Sequence, residues 1–244
     1  MSTSRGEGRD KLLVALDVDS GDRAVELTRQ LRDVAAGFKV GSRLFTLEGP
    51  AIVRRLVDLG ARVFLDLKFH DIPNQVAQTI EAAVYTGAWM VNVHASGGPA
   101  MMQAARHAAA AASSKQGTAA PMLIAVTVLT SMDQPTLHAI GVERPLLRQV
   151  IALATLAREA GLDGVVASAQ ETAAIRQACG PEFAIVTPGI RGAAAGADKH
   201  DQARTMGPAE AVRAGASYIV VGRPIIAAAD PRSAAEAIVE ELSA

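Results

Sequence analysis

The chain has almost no cysteine, no excess of either charge and no long apolar run, and each absence removes a class of protein. Its one thiol, Cys179, can form no internal disulfide, so a reducing cytosol is the expected setting rather than that of a disulfide-stapled secreted domain. That residue ends a helical pattern with no base beside it and reads as inert. The 24 lysines and arginines nearly balance the 25 aspartates and glutamates, leaving a formal net charge of −1. Nucleic acid and anionic membrane surfaces are thereby disfavoured as partners, since both call for a basic excess. No stretch approaches the roughly 20 apolar residues that span a bilayer. The polar opening, Met1 to Asp10, lacks the apolar core of a secretory signal, and residues 1–10 are expected to form a short disordered tail. Also missing is a G-x-G-x-x-G turn after the first apolar run, which continues instead as Asp17-Val18-Asp19-Ser20-Gly21-Asp22. That argues against a doubly wound, dinucleotide-binding sheet.

What is present is an alternation. Half of the 244 residues are hydrophobic, ample for a sizeable core, and short β-branched runs alternate with Ala-rich amphipathic segments along the chain. Strands are expected at Leu12–Val18, Gly37–Gly41, Val63–Phe69, Met90–Ala95, Leu123–Leu129, Gly164–Ala167, Ala184–Thr187 and Tyr218–Gly222. Helical patterns fill the intervals: Asp22–Ala35, Pro50–Leu59, Asn74–Thr86, Pro99–Ala112, Pro145–Ala160, Gln170–Ala178 and Pro208–Ala214, with Ser233–Leu242 last. Proline near first turns and glycine after last turns, as in Leu59-Gly60 and Ala160-Gly161, mark their ends. No composition break divides the chain. Eight such units predict an α/β fold of the (β/α)8 TIM-barrel class, as a single domain over residues 11–244.

The hexapeptide Asp66-Leu67-Lys68-Phe69-His70-Asp71 is out of place in an oily strand. Side chains two apart share a face, so Asp66 and Lys68 point the same way, roughly 6.6 Å apart along the backbone. Opposite charges there need partners or a task; a structural ion pair is the plain reading and a reactive pair the other. In a barrel the reacting groups collect at the carboxyl ends of the strands. Those ends carry Asp17 on the first strand, Lys39 on the second and Asp66 and Lys68 on the third, with Asp71 just beyond. Carboxylates on either side keep Lys68 an ammonium, which disfavours a Schiff base. His70, Asp66, Asp71 and His94 could be gathered as metal ligands, but the lysines already fill the cation role. What remains is a fixed ammonium able to stabilise a carbanion and protonate it. The imidazoles of His70 and His94 read as structural or interface groups, because no step needs them. Strand 7 ends in Thr187-Pro188-Gly189-Ile190-Arg191 and strand 8 in Val221-Gly222-Arg223, where this fold recurrently binds phosphate. The Gly/Ala-rich stretch 191–207 that follows strand 7 is long for such a connection and is expected to be a lid.

Asp66-Leu67-Lys68-Phe69-His70-Asp71-Ile72-Pro73-Asn74 resembles the D-x-K-x-x-D-I-P-N signature of the orotidine 5′-phosphate decarboxylase family. Similar in turn are Leu16-Asp17, Phe38-Lys39-Val40-Gly41, Val126-Thr127-Val128-Leu129-Thr130-Ser131, Thr187-Pro188-Gly189-Ile190-Arg191, Gln202 and Val221-Gly222-Arg223. The resemblance implies a metal-free, cofactor-free decarboxylation of orotidine 5′-phosphate to uridine 5′-phosphate. Lys68 would donate the proton to C6 within a Lys39–Asp66–Lys68–Asp71 network. A homodimer with shared active sites is implied, Asp71 acting in the neighbouring subunit. Asp17 and Lys39 would hold ribose hydroxyls, with Asn74 and Gln75 also at the substrate, and Thr130 or Ser131 the pyrimidine. Gln202, Gly222 and Arg223 would bind phosphate, with Arg191 nearby. Gln75 departs from the family pattern, where many members have threonine; altered substrate affinity rather than lost chemistry is the expectation. The alternative is a related sugar-phosphate decarboxylase or aldolase of the same barrel suprafamily, which would act with Mg²⁺.

Overall fold

The structure, a computed structural model, describes residues 8–189 and 206–243. Its strands are β1 (Leu12–Ala15), β2 (Gly37–Gly41), β3 (Val63–Phe69), β4 (Met90–His94), β5 (Met122–Val126), β6 (Gly164–Val166), β7 (Ala184–Pro188) and β8 (Tyr218–Val221). They pair in parallel, in chain order, and β8 returns to β1 to close a barrel. The helices between them are α1 (Gly21–Leu31), α2 (Ser42–Glu48), α3 (Pro50–Asp58), α4 (Pro73–Val84), α5 (Gly98–Gln116), α6 (Gln134–Ala139), α7 (Leu146–Glu159), α8 (Thr172–Cys179), α9 (Pro208–Arg213), α10 (Arg223–Ile226) and α11 (Pro231–Leu242). Among the described residues no helix is long and apolar enough to cross a membrane.

Local chemistry explains the ends. Ser20 caps α1 by accepting from the Arg23 N–H, and Asp230 does the same for α11 at Arg232 and Ser233. Gly60 and Gly161 adopt left-handed φ values of 79° and 81° after α3 and α7, a conformation open to glycine at no steric cost. The short helices α2, α6 and α10 sit in segments expected as loops; each spans seven residues or fewer, too little for a helical apolar period to stand out. Of the expected tail, residues 1–7 lie outside the described residues, while Gly8 and Arg9 are helical.

Two apolar layers follow from the period-2 alternation of the strands. One face of each strand, including Leu12, Val14, Val40, Leu65, Val91, Val93, Ile185 and Ile219, packs against the helices. The other face fills the barrel with Leu13, Ala15, Phe64, Met90, Ile124, Val126, Val166, Val186 and Val220. Continuing the inner faces of β1 to β4 toward the carboxyl ends brings up Asp17, Lys39, Asp66, Asn92 and His94. On β5 to β8 the inner positions within the strands are apolar toward the carboxyl ends, with Gly222 just past β8, so among the described strand residues the charges gather on the β1 to β4 side of the mouth.

Candidate active site

Asp66 is the centre of the charged half. It is 8% exposed, and its carboxylate is surrounded by donors. Lys68 Nζ lies 2.8 Å from Oδ1, Lys39 Nζ 3.5 Å from Oδ2, and Asn92 Nδ2 donates to Oδ1 at 2.7 Å. Lys39 also reaches Asp17 Oδ1 at 3.1 Å, so charges alternate around four side chains from β2, β3 and the segment just past β1. Gly41, register partner of Asp66 on β2, leaves the space this requires: a Cβ there would stand 2.9 Å from Lys39 Nζ. At Gly222, across the β1–β8 seam, a Cβ would meet Asp17 Oδ2 at 3.6 Å, an ordinary contact distance, so crowding does not demand glycine there.

The Asp66–Lys68 pair is not built on a regular strand, as the expected spacing assumed. Leu65 pairs with Val91, but the next pair is Phe69 with Val93, so Asp66, Leu67 and Lys68 stand opposite Asn92 alone. Lys68 absorbs the excess with φ of 54°, the one left-handed non-glycine residue among those described. Such a conformation costs about 1–3 kcal/mol and persists only where the surroundings hold it. Bulges of this kind re-aim a side chain, and here the re-aimed ammonium closes on the carboxylate two residues back.

The other expected residues fall at the mouth with different degrees of connection. Asp17 lies beyond β1, which ends at Ala15 rather than Val18. Asp71, Asn74 and Gln75 are exposed on the turn after β3 and the first turn of α4. The Asp71 carboxylate accepts from the Ile72 N–H at 2.7 Å, and among the described residues no ion pair joins it to Lys68. Thr130 is half-buried and Ser131 exposed in the turn after β5, which ends at Val126 rather than Leu129. Gly222 and Arg223 start α10 directly after β8. Arg191, Gln202 and residues 191–205 of the expected lid lie outside the described residues, while Met206 and Gly207 are described.

Sequence reasoning missed Asn92. It is fully buried, and its parity with Met90 and His94 on β4 was the available signal: an amide on the inner face of the strand beside Asp66. His94 packs near His70, ring centroids 5.4 Å apart. Burial, then the charges of His70 and Lys68, push its pKa below the ordinary imidazole value, which keeps it neutral. Cys179 is buried, and desolvation raises its thiol pKa, in keeping with an inert residue.

A sequence profile of the Orotidine 5′-phosphate decarboxylase / HUMPS family matches residues 10–238. The orotidine 5′-phosphate decarboxylase of Moorella thermoacetica is 54% identical over 239 residues, covering 98% of this chain and 94% of that protein. That of Syntrophotalea carbinolica is 52% identical over 238 residues, covering 98% and 97%. Among solved structures, orotidine 5′-phosphate decarboxylase from Lactobacillus acidophilus superposes with a TM-score of 0.84 at 36% identity, covering 96% of this chain and 99% of that one. Similarity of this extent, over nearly the whole chain, places it in the orotidine 5′-phosphate decarboxylase / HUMPS family.

Proposed function

We propose that this chain decarboxylates orotidine 5′-phosphate to uridine 5′-phosphate and CO2 in pyrimidine biosynthesis, using neither metal nor organic cofactor. The observation that carries the reading is the alternating row Asp17–Lys39–Asp66–Lys68, with contacts of 3.1, 3.5 and 2.8 Å in one barrel mouth. When the bond from C6 to the carboxylate breaks, its electron pair stays on C6 in the ring plane, where no π-system delocalises it. Stabilisation must then come from charge already in place. The Lys68 ammonium supplies it and passes one proton to C6, completing the product; solvent restores the ammonium. Lys39 and Asp66 orient Lys68, and Asp17 with Lys39 holds the ribose hydroxyls. Asn74 and Gln75 border the ribose, Thr130 and Ser131 the pyrimidine. Gly222 and Arg223, with Arg191 and Gln202, bind the phosphate, whose grip strengthens in the transition state. The reading extends to a cytosolic homodimer of single-domain subunits, residues 11–244, in which Asp71 completes the neighbour's site.

A sugar-phosphate decarboxylase or aldolase acting with Mg²⁺ is the alternative. Asp66 speaks against it, because a divalent cation would have to displace two ammoniums and an amide from its oxygens. Purified chain should consume orotidine 5′-phosphate, followed by ultraviolet absorbance, equally with and without EDTA. Lys68→Ala should lower turnover by roughly 10²- to 10⁴-fold while still binding uridine 5′-phosphate. Unchanged substrate beside an active control enzyme, or equal turnover by the variant, overturns the reading.

A further inference from the structure

We infer that Asn92 is the positioning residue for the reacting ammonium, one amide that sets both the carboxylate of Asp66 and the backbone of Lys68. The inference rests on the decarboxylase reading. Asn92 Oδ1 accepts the Lys68 backbone N–H at 2.8 Å, and Nδ2 donates to Asp66 Oδ1 at 2.7 Å. These two partners determine which way the amide faces, since an N–H must meet the carbonyl end and a carboxylate the NH₂ end. The first bond answers a need created by the bulge. Where three β3 residues oppose one β4 residue, the Lys68 N–H has left the β3–β4 ladder and takes a side-chain acceptor in its place. That bond holds the left-handed backbone that swings Lys68 Nζ to 2.8 Å from Asp66 Oδ1.

The second bond acts on the carboxylate. Asp66 Oδ1 receives both Asn92 Nδ2 and Lys68 Nζ, while Oδ2 faces Lys39. With the amide beneath it, the carboxylate plane cannot rotate without losing a bond, and the two lysines keep separate oxygens. Asn92 is 0% exposed, so it acts through its two neighbours rather than on the substrate. Its effect should therefore fall on kcat and spare nucleotide binding.

Asn92→Asp tests this closely. The introduced carboxyl keeps the acceptor for the Lys68 N–H but stands at hydrogen-bond distance from the Asp66 carboxylate, so its pKa is raised and its ionised form repels that carboxylate. Once the introduced carboxyl is ionised, at the alkaline end of the pH profile, kcat should fall about 10- to 100-fold, the scale of a misplacement near 1 Å, with the Kd for uridine 5′-phosphate within about twofold of the parent. As pH is lowered, the introduced carboxyl gains a proton, donates to Asp66 as the amide did, and kcat should recover toward the parent. Asn92→Ala, which removes both bonds, should lose kcat without that recovery. A kcat within twofold of the parent in folded Asn92→Ala overturns the inference. So does a loss in Asn92→Asp that is the same at every pH, or the failure of both variants to fold and bind nucleotide, which would make Asn92 a folding residue only. If the parent itself does not turn over orotidine 5′-phosphate, the decarboxylase reading fails instead, so the two failures are distinct.

Discussion

At the scale of single residues, the site shows how a buried charge is tolerated. An ionised carboxylate removed from water without partners costs several kcal/mol. Asp66 is offset by Lys39, Lys68 and the Asn92 amide, and the strained φ of Lys68 is held by the same amide. His94 illustrates the opposite case, a group whose charged form is disfavoured. Its surroundings are His70, Lys68 and Asp66, of which only the last favours protonation, and burial outweighs it. With the folded-state pKa below the unfolded value of about 6.5, the unfolded chain binds the proton first as pH falls. Stability should therefore decline on acidification below that value, until the folded state also protonates. Urea midpoints measured from pH 7.5 to 5 should show the decline, and His94→Gln should flatten it. An unaltered slope in the variant would refute the assignment to His94.

Elements, in turn, are tied together at the end of the barrel remote from the mouth. Arg176 on α8 donates through Nη1 to the carbonyls of Gly180, Pro181 and Phe183, and through Nη2 to Gly215 O and Ser217 Oγ. Ser217 Oγ in turn accepts from Ile185 N. One guanidinium thus joins the approaches to β7 and β8, and its planar fork of donors is what lysine lacks. Arg176→Ala and Arg176→Lys should each lower stability by about 2–3 kcal/mol, read as a drop in Tm, while kcat and KM stay at parent values. Lost activity without lost stability would contradict the separation between the two ends of the barrel. Nothing in the sequence around Arg176 announces this role, because its partners are mostly backbone carbonyls brought together by the closed sheet.

The whole molecule raises the question of Asp71. In one chain it is exposed, bonded to the Ile72 N–H, and followed by a side chain 65% exposed at Ile72. A charged residue and an apolar one, both facing outward at the rim of the mouth, suit a symmetric contact in which each subunit completes the other's site. If, as proposed, Asp71 acts in the neighbouring subunit, mixing Asp71→Ala with Lys68→Ala subunits should restore turnover, since each heterodimer would hold one intact site in two, about half the parent's capacity per dimer. Confirmed heterodimers without recovered activity would count against sharing. Nucleotide binding by each variant alone serves as the folding control.

Some of this protein is written along the chain and some is not. Strand number, order and parallel arrangement follow from apolar periodicity and the spacing between runs, which depend on near neighbours alone. β2 and β3 match their expected spans residue for residue. Asp17, Lys39, Asp66 and Lys68 were legible because charges on an otherwise apolar inner face stand out by parity. The bulge in β3, the use of Asn92 and the reach of Arg176 were not. Each depends on which residue of one strand lies opposite which residue of the next, and that register exists only once the sheet has closed. The sequence by itself determined the barrel and the charges at its mouth. Tertiary structure alone decided how those charges are aimed, because the aim is set by a hydrogen bond between residues 24 positions apart.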